Sequence, residues 1–242
     1  MFPFEKEYFS RKGVRYVYKG YPLVDAIDAS PALKETREEF LSSSGLPDKP
    51  MIAILAGSRK GEVSCMMPVC AEFADKMHAL PEYSLWQFVV AGAPSRTMDD
   101  YAPFLRGREE YMKVVFGQTH GVVRNSAAAV VNSGTASLET CLIGTPQVVA
   151  YSGTPFNFNV AKQIIRVEYI SLGNLILRKK AFKELMQYYF TADNLVDEVR
   201  RLVEDENYRE EMMSDYARIR EDLGGGGASR AVAAAMIGEM KS

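Results

Sequence analysis

The sequence predicts a doubly wound α/β domain, a parallel sheet with helices on both faces. Three observations predict it. Continuous apolar runs such as Met51-Ile52-Ala53-Ile54-Leu55-Ala56 and Ala127-Ala128-Ala129-Val130-Val131 recur along the chain, the mark of strands buried on both faces. Stretches of helical period separate them, and that alternation belongs to a covered parallel sheet. Small, glycine-containing turns follow two of the runs, at the end of an open α/β sheet where ligands bind.

Taken in order, the first fifty residues differ from the rest. Phe2-Pro3-Phe4-Glu5-Lys6 reads as a helix start, Val14-Arg15-Tyr16-Val17-Tyr18 as one strand and Gly20-Tyr21-Pro22-Leu23-Val24-Asp25 as a turn. They have no sheet of their own to complete. Residues 1–28 therefore read as the tail of another domain, 29–50 as a linker and 51–242 as the domain itself. Its first strand, 51–56, leads through Gly57-Ser58-Arg59-Lys60-Gly61 into a helix over 62–79 with Val63, Met66, Met67, Val69, Cys70, Phe73 and Met77 on its apolar side. A strand at 85–90, a helix at 99–105 and a strand at 112–116 follow. A short helix at 121–125 precedes strands at 127–132 and 147–151. Beyond them the pattern predicts helices near 157–165, 180–187, 192–204, 208–223 and 228–240. The run Gly224-Gly225-Gly226-Gly227 follows a charged helix instead of a strand, so it is a hinge or helix break and not a phosphate loop.

Bulk properties exclude several classes. A formal net charge of −2 over 242 residues gives no electrostatic footprint for nucleic acid. No apolar run approaches the ~20 residues of a membrane span, and the first residues lack the parts of a signal peptide. Cys65, Cys70 and Cys141 are odd in number and lack metal-ligand spacing, which points to reduced thiols and a cytoplasmic setting. With His78 and His120 as the only histidines, a histidine-rich metal site is not expected. No metal or cofactor is predicted.

The chemistry concentrates at Ser133-Gly134-Thr135-Ala136-Ser137-Leu138-Glu139. Strand, tight turn and helix start converge there, so free N–H groups and the positive end of a helix dipole point at one spot. Glu139 lies one turn in, four residues after Thr135, where a carboxylate accepts hydrogen bonds from a sugar diol. Capping does not explain it, because a capping box places Glu three residues after the cap, and Ala136 and Ser137 hold the positions three after Ser133 and Gly134. Phosphate beside ribose is the signature of a nucleotide. After the first strand, Arg59 is suited to bidentate pairing with phosphate; the competing reading is a solvated loop charge.

Several segments, in order, resemble the lipid-A-disaccharide synthase family of two-domain GT-B glycosyltransferases. They are Pro3-Phe4-Glu5-Lys6, Gly20-Tyr21-Pro22-Leu23-Val24-Asp25, Gly57-Ser58-Arg59-Lys60-Gly61-Glu62, the 133–139 turn, Gly144-Thr145-Pro146, Tyr169-Ile170-Ser171-Leu172-Gly173-Asn174-Leu175 and Glu184-Leu185-Met186-Gln187. The resemblance implies a Rossmann-like half of a GT-B enzyme that joins a UDP-linked diacylglucosamine to diacylglucosamine 1-phosphate. The products are a β-1,6 disaccharide, made with inversion, and UDP. The expected setting is the inner face of a Gram-negative inner membrane, as a peripheral protein. By matched position, Ser58 and Arg59 face the donor phosphates, Ser133, Gly134 and Thr135 supply the N–H cradle, Glu139 holds the ribose, and Asn174 and Gln187 lie near the donor. For these last two the competing readings are turn chemistry and a surface amide.

The resemblance also implies what is absent. The family's N-terminal half, with the acceptor site and the general base, is missing apart from its end. This chain is then expected to bind UDP or donor without transferring, and to depend on the missing half as partner. Met1 falls inside a family motif, which implies a truncated clone, a split reading frame or a misassigned start. Tyr21 stands where the family commonly has His, Gly173 where it has Pro, and Arg178-Lys179-Lys180 where it has Gly-Arg-Glu. Phe156-Asn157-Phe158, Lys162 and Ile164-Ile165-Arg166, with Arg178-Lys179-Lys180 beside Phe182, are candidates for a basic, apolar membrane edge; ordinary amphipathic helix faces are the competing reading. Val232, Met236 and Met240 form an apolar stripe whose exposure predicts a homodimer by helix exchange over the glycine hinge. The alternatives are another UDP-sugar enzyme of this architecture, such as a 2-epimerase or hexosaminyltransferase, and a non-catalytic nucleotide-binding subunit.

Overall fold

The structure, a computed structural model, describes residues 2–152 and 169–240. Six strands form one sheet: β1 (Met51–Leu55), β2 (Gln87–Gly92), β3 (Met112–Phe116), β4 (Ala128–Asn132), β5 (Gln147–Tyr151) and β6 (Glu184–Met186). Their spatial order is β3-β2-β1-β4-β5-β6, and every neighbouring pair is parallel. This is the predicted doubly wound α/β fold. The helices are α1 (Glu5–Arg11), α2 (Pro22–Asp28), α3 (Arg37–Ser44), α4 (Lys60–His78), α5 (Met98–Leu105), α6 (Thr119–Arg124), α7 (Thr135–Ile143), α8 (Leu172–Leu177), α9 (Ala192–Glu204), α10 (Glu206–Leu223) and α11 (Ala228–Met240).

The two faces of the sheet build separate cores because successive side chains point to opposite sides. Ile52 and Ile54 of β1, with Phe88, Val90, Val130 and Val148, join Met66, Phe73 and Met77 of α4, Leu195 and Val199 of α9, and Ile219 of α10. Met51, Ala53 and Leu55 point the other way and join Val89, Val115 and Val131. Phe40 and Leu41 of α3 and Val122 and Val123 of α6 cover that second face. Gly121 lies beneath the Phe40 ring, where a Cβ would come within 2.7 Å of it.

The central strands and most helices fall where the apolar pattern puts them; the departures are at the ends of the chain and at the sheet edge. Residues 14–18 form no strand. The expected turn at 20–25 is instead the start of α2, with Pro22 at its first position and Val24 and Ile27 fully buried. The stretch 29–50, expected as a linker, holds a 3-10 turn and α3. Thr36 and Glu39 cap α3 reciprocally, Gly45 ends it in the left-handed region, and Phe40 is fully buried. The expected helix at 180–187 is β6, which pairs through Ala150 and Leu185 and is followed by a 3-10 turn over Gln187–Tyr189; a strand this short offers no period to detect. The expected helix at 157–165 lies outside the described residues.

The glycine run breaks the helix as predicted, and it is anchored. Gly227 and Ser229 donate their N–H groups to the Asp25 carboxylate at 2.6 and 2.7 Å, and Tyr21 N–H donates to Leu223 O at 2.9 Å. The Ser229 and Gly227 hydrogen bonds hold the Asp25 carboxyl below its ordinary range. Asp25 therefore caps α11 from a distant part of the chain. Met236 and Ile237 of α11 stay exposed.

One ion-paired cluster gives a pH-dependent prediction. Asp75 of α4 accepts from Arg108 Nε and Nη2, each at 2.6 Å, and from Tyr111 OH at 2.6 Å. Burial alone raises its pKa, but these donors outweigh burial and lower it. A depressed carboxylate pKa stabilises the fold above the unfolded value of about 3.9, and the contribution is lost as pH falls through the folded value. Asp75 is 39% exposed, so screening reduces the effect. Asp75→Asn is expected to cost about 1–2 kcal/mol at pH 7. Urea unfolding at a series of pH values should show the two proteins converging as pH falls below the unfolded value of about 3.9.

Candidate functional site

The strand order reverses between β1 and β4, so their carboxyl ends flank the crevice where open α/β sheets bind ligands. Gly57, Ser58 and Arg59 leave β1 there, and Ser133 and Gly134 leave β4. Ala93 and Pro94 after β2, Thr119, Asn132, Thr135 and Glu139 complete a cleft of about 490 Å³, within the usual ~300–1,000 Å³ of small-molecule sites. Of the sequence-derived candidates, the structure brings together Ser58, Arg59, Ser133, Gly134, Thr135 and Glu139.

The two turns differ chemically. Gly134 is the N-cap of α7, and no side chain caps that helix. Ser133 N–H is taken by Ala150 O at 2.9 Å, and its hydroxyl donates to Ile170 O at 3.3 Å. Gly134 is extended, with open space where a Cβ would stand. Ser137 N–H turns back to Gly134 O at 3.2 Å, so the N–H groups of Gly134, Thr135 and Ala136, with the positive end of the α7 dipole, are left to the cleft. At the β1 turn two N–H groups are occupied. Glu62 Oε2 accepts from Ser58 N–H at 3.0 Å and Arg59 N–H at 3.1 Å, and Oε1 pairs with Arg59 Nη1 at 2.7 Å. Burial alone raises the Glu62 pKa, but these hydrogen bonds and the guanidinium hold it low. The β1 turn offers the Arg59 side chain, 84% exposed. Ser95 Oγ donates to Ser58 O at 2.8 Å and ties the loop after β2 to this turn.

Glu139 stands one turn into α7, with its Oε2 3.8 Å from His120 Nε2. Asn174 and Gln187 do not line the cleft. Asn174 is fully buried. Its Nδ2 donates to Phe182 O at 3.0 Å and Glu184 Oε1 at 2.8 Å, and its Oδ1 accepts from Ala181 N–H at 2.8 Å. Glu184 in turn accepts from the N–H groups of Ile170 and Ser171, both at 3.0 Å. Asn174 knits the 170–184 stretch together. Gln187, with φ 49°, follows β6 at the same carboxyl edge of the sheet. The Arg178-Lys179-Lys180 run is largely neutralised: Arg178 pairs with Glu7 at 2.8 Å and Lys179 with Asp215 at 2.8 Å. Phe182 beside it is buried, so it adds no apolar surface to this run; residues 156–166 lie outside the described residues. Among the described residues no helix is long and apolar enough to cross a membrane, and no group of His, Cys, Asp and Glu could hold a metal ion.

Comparison with known proteins decides the family. A family profile described as lipid-A-disaccharide synthetase matches residues 1–236. The chain belongs to the lipid-A-disaccharide synthetase family. It is 33% identical to the lipid-A-disaccharide synthase of Trichlorobacter lovleyi over 237 residues, 97% of this chain and 60% of that protein. With the synthase of Geobacter sulfurreducens it shares 32% over 238 residues, 98% of this chain and 60% of that one. This family member thus spans 60% of the length of these curated relatives. In fold it is similar to the UDP-GlcNAc 2-epimerase of Neisseria meningitidis bound to UDP-GlcNAc, with TM-score 0.61 and 17% identity over 96% of this chain and 58% of that one. It is also similar to the calicheamicin glycosyltransferase CalG4, with TM-score 0.50 and 18% identity over 79% of this chain and 42% of that one.

Sequence reasoning missed Glu62, Asn132 and Thr119 as neighbours of the site. For Glu62 a signal existed, since it lies three residues after Arg59 at capping-box spacing. His120 follows the strand at 112–116 and so reads as a histidine at a turn into the cleft, with a helix-start or packed histidine as the competing reading; only the sheet topology shows that this loop lies beside α7.

Proposed function

We propose that this chain is the donor-binding half of a lipid-A-disaccharide synthase, holding the UDP portion of UDP-linked diacylglucosamine. The observation that carries the reading is the uncapped amino terminus of α7 opening into the switch-point cleft, with Glu139 one turn further in. On this reading the Gly134-Thr135 turn cradles the diphosphate, with Arg59 and Ser58 across the cleft. Glu139 accepts from the ribose hydroxyls. The nucleobase enters the adjoining cleft of about 400 Å³, which shares Pro94 and Thr119 with the first and adds Gly117, Gln118 and His120. Gln187 stands toward the sugar end, and Asn174 acts through the strand and loop it holds.

In the whole enzyme the acceptor 6-hydroxyl attacks the donor anomeric carbon as the bond to UDP breaks, with inversion. The α7 dipole and Arg59 stabilise the departing diphosphate. A general base must take the hydroxyl proton from the opposite face, and we assign it to the acceptor half that the longer relatives have. Residues 1–28 are assigned to the end of that half and 51–242 to the donor domain, with 29–50 joining them along the sheet. The chain alone is expected to bind UDP without transferring sugar. Exposed Met236 and Ile237 support association of α11 with a second copy or with the acceptor half. The acylated substrates favour work at the inner membrane surface, from the cytoplasmic side.

The test is calorimetric titration of UDP, UMP and uridine into the chain. Affinity should fall in that order, by about tenfold or more between UDP and uridine, as charge-assisted hydrogen bonds are lost. Uridine binding as tightly as UDP would overturn the reading.

A further inference from the structure

Ser30 is buried at the end of the segment leaving α2, and its Oγ lies 2.9 Å from His120 Nδ1 at the start of α6. When the hydroxyl donates, Nδ1 is the acceptor and the ring proton sits on Nε2. That nitrogen points toward Glu139, 3.8 Å from Oε2. Side-chain exposures of 29% for His120 and 26% for Glu139 place both at the cleft margin, neither sealed in the core nor free in solvent. Three side chains from three elements thus run from the core to the cleft.

We propose that Ser30 and His120 form a positioning relay for Glu139, holding one carboxylate oxygen so that the other meets the sugar hydroxyls of the bound nucleotide. The inference rests on the reading of the cleft as the donor-nucleotide site. A glutamate on a helix surface otherwise samples several rotamers, and ordering it on binding costs affinity. The Ser30 hydroxyl fixes the imidazole, and the imidazole edge, 3.8 Å from the carboxylate, limits it by close approach and by its N–H dipole, so the rotamer is selected before the ligand arrives. Ser30 and His120 are positioning residues; neither needs to touch the ligand's hydroxyls.

The experiment titrates UDP and 2′,3′-dideoxy-UDP into the wild-type chain and its His120→Ala, His120→Gln and Ser30→Ala variants. For UDP, His120→Ala should bind about 2- to 5-fold more weakly, as expected for one lost partly exposed electrostatic restraint. His120→Gln, which keeps an N–H donor near the Nε2 position, should stay within about twofold of wild type, and Ser30→Ala should fall between them. Dideoxy-UDP should bind all four proteins alike, because the hydroxyls that Glu139 would accept from are gone. Ser30→Ala removes one hydroxyl and guards against a folding artefact at His120. Equal losses for both ligands, or no loss for UDP, would overturn the relay. Wild-type protein binding both ligands equally would overturn the ribose assignment of Glu139, and absence of UDP binding would overturn the nucleotide reading; either takes the relay with it.

Discussion

Alanine at position 139 is expected to weaken UDP binding about 10- to 100-fold, the largest functional effect predicted for a single side chain here. Glu139 caps no helix, and its one ion-pair neighbour among the described residues is His120 at 3.8 Å. Removing it therefore leaves no buried donor stranded, and stability should change by less than about 0.5–1 kcal/mol. What is lost is a carboxylate able to accept two charge-assisted hydrogen bonds from vicinal hydroxyls, together worth about 1.4–2.7 kcal/mol once water replaces the lost acceptor. Glu139→Gln should lie between wild type and alanine, since the amide oxygen still accepts while the charge is gone. Calorimetry with UDP, beside thermal melting of the same samples, separates the two effects. Unchanged UDP affinity in a folded Glu139→Ala protein would sink the ribose assignment.

Phe40→Ala is expected to destabilise the fold by about 3–5 kcal/mol, the range for emptying a core aromatic site. The ring is fully buried between β1, α6 and the start of the domain's second face. Gly121 has no side chain with which to refill the space, so collapse into the cavity is limited. Urea unfolding should show the midpoint moving down with little change in slope. If residues 29–50 were only a tether, the loss would stay within about 0.5 kcal/mol, so the measurement also decides whether this stretch belongs to the folding unit. A further consequence follows for Ser30 and the α6 loop, which the same helix layer holds beside the cleft.

The central strands were legible because β1, β2, β4 and β5 are buried on both faces and therefore spelled as unbroken apolar runs. Strand β6 was not, since Glu184-Leu185-Met186 buries one side chain and borders the sheet. Helix α3 carried readable punctuation in Thr36, Glu39 and Gly45 that the low overall hydropathy of the stretch obscured. The α7 turn was legible from its small residues alone, and Glu139 from its failure to fit a capping box. The surroundings of Asn174 were not legible, because local sequence does not reveal that four polar groups from 181–184 converge on one buried amide. Glu62 and His120 show the two limits: one needed only its spacing to be weighed, and the other needed the three-dimensional neighbour.

The fastening of α2 to the last glycines has a consequence for biosynthesis. Asp25 and Gly227 are 202 residues apart, an interval a ribosome takes roughly 10–40 s to translate. Until the last helix is made, Val24 and Ile27 have only α7 and the sheet side to cover them, and the aromatic trio Phe2, Phe4 and Tyr21, which stacks in the completed molecule, waits for the 223–229 segment that fastens it. The first helices of this chain are thus among the last to dock. A nascent polypeptide halted before residue 223 should remain open to protease at its amino end while the strands behind it are already protected.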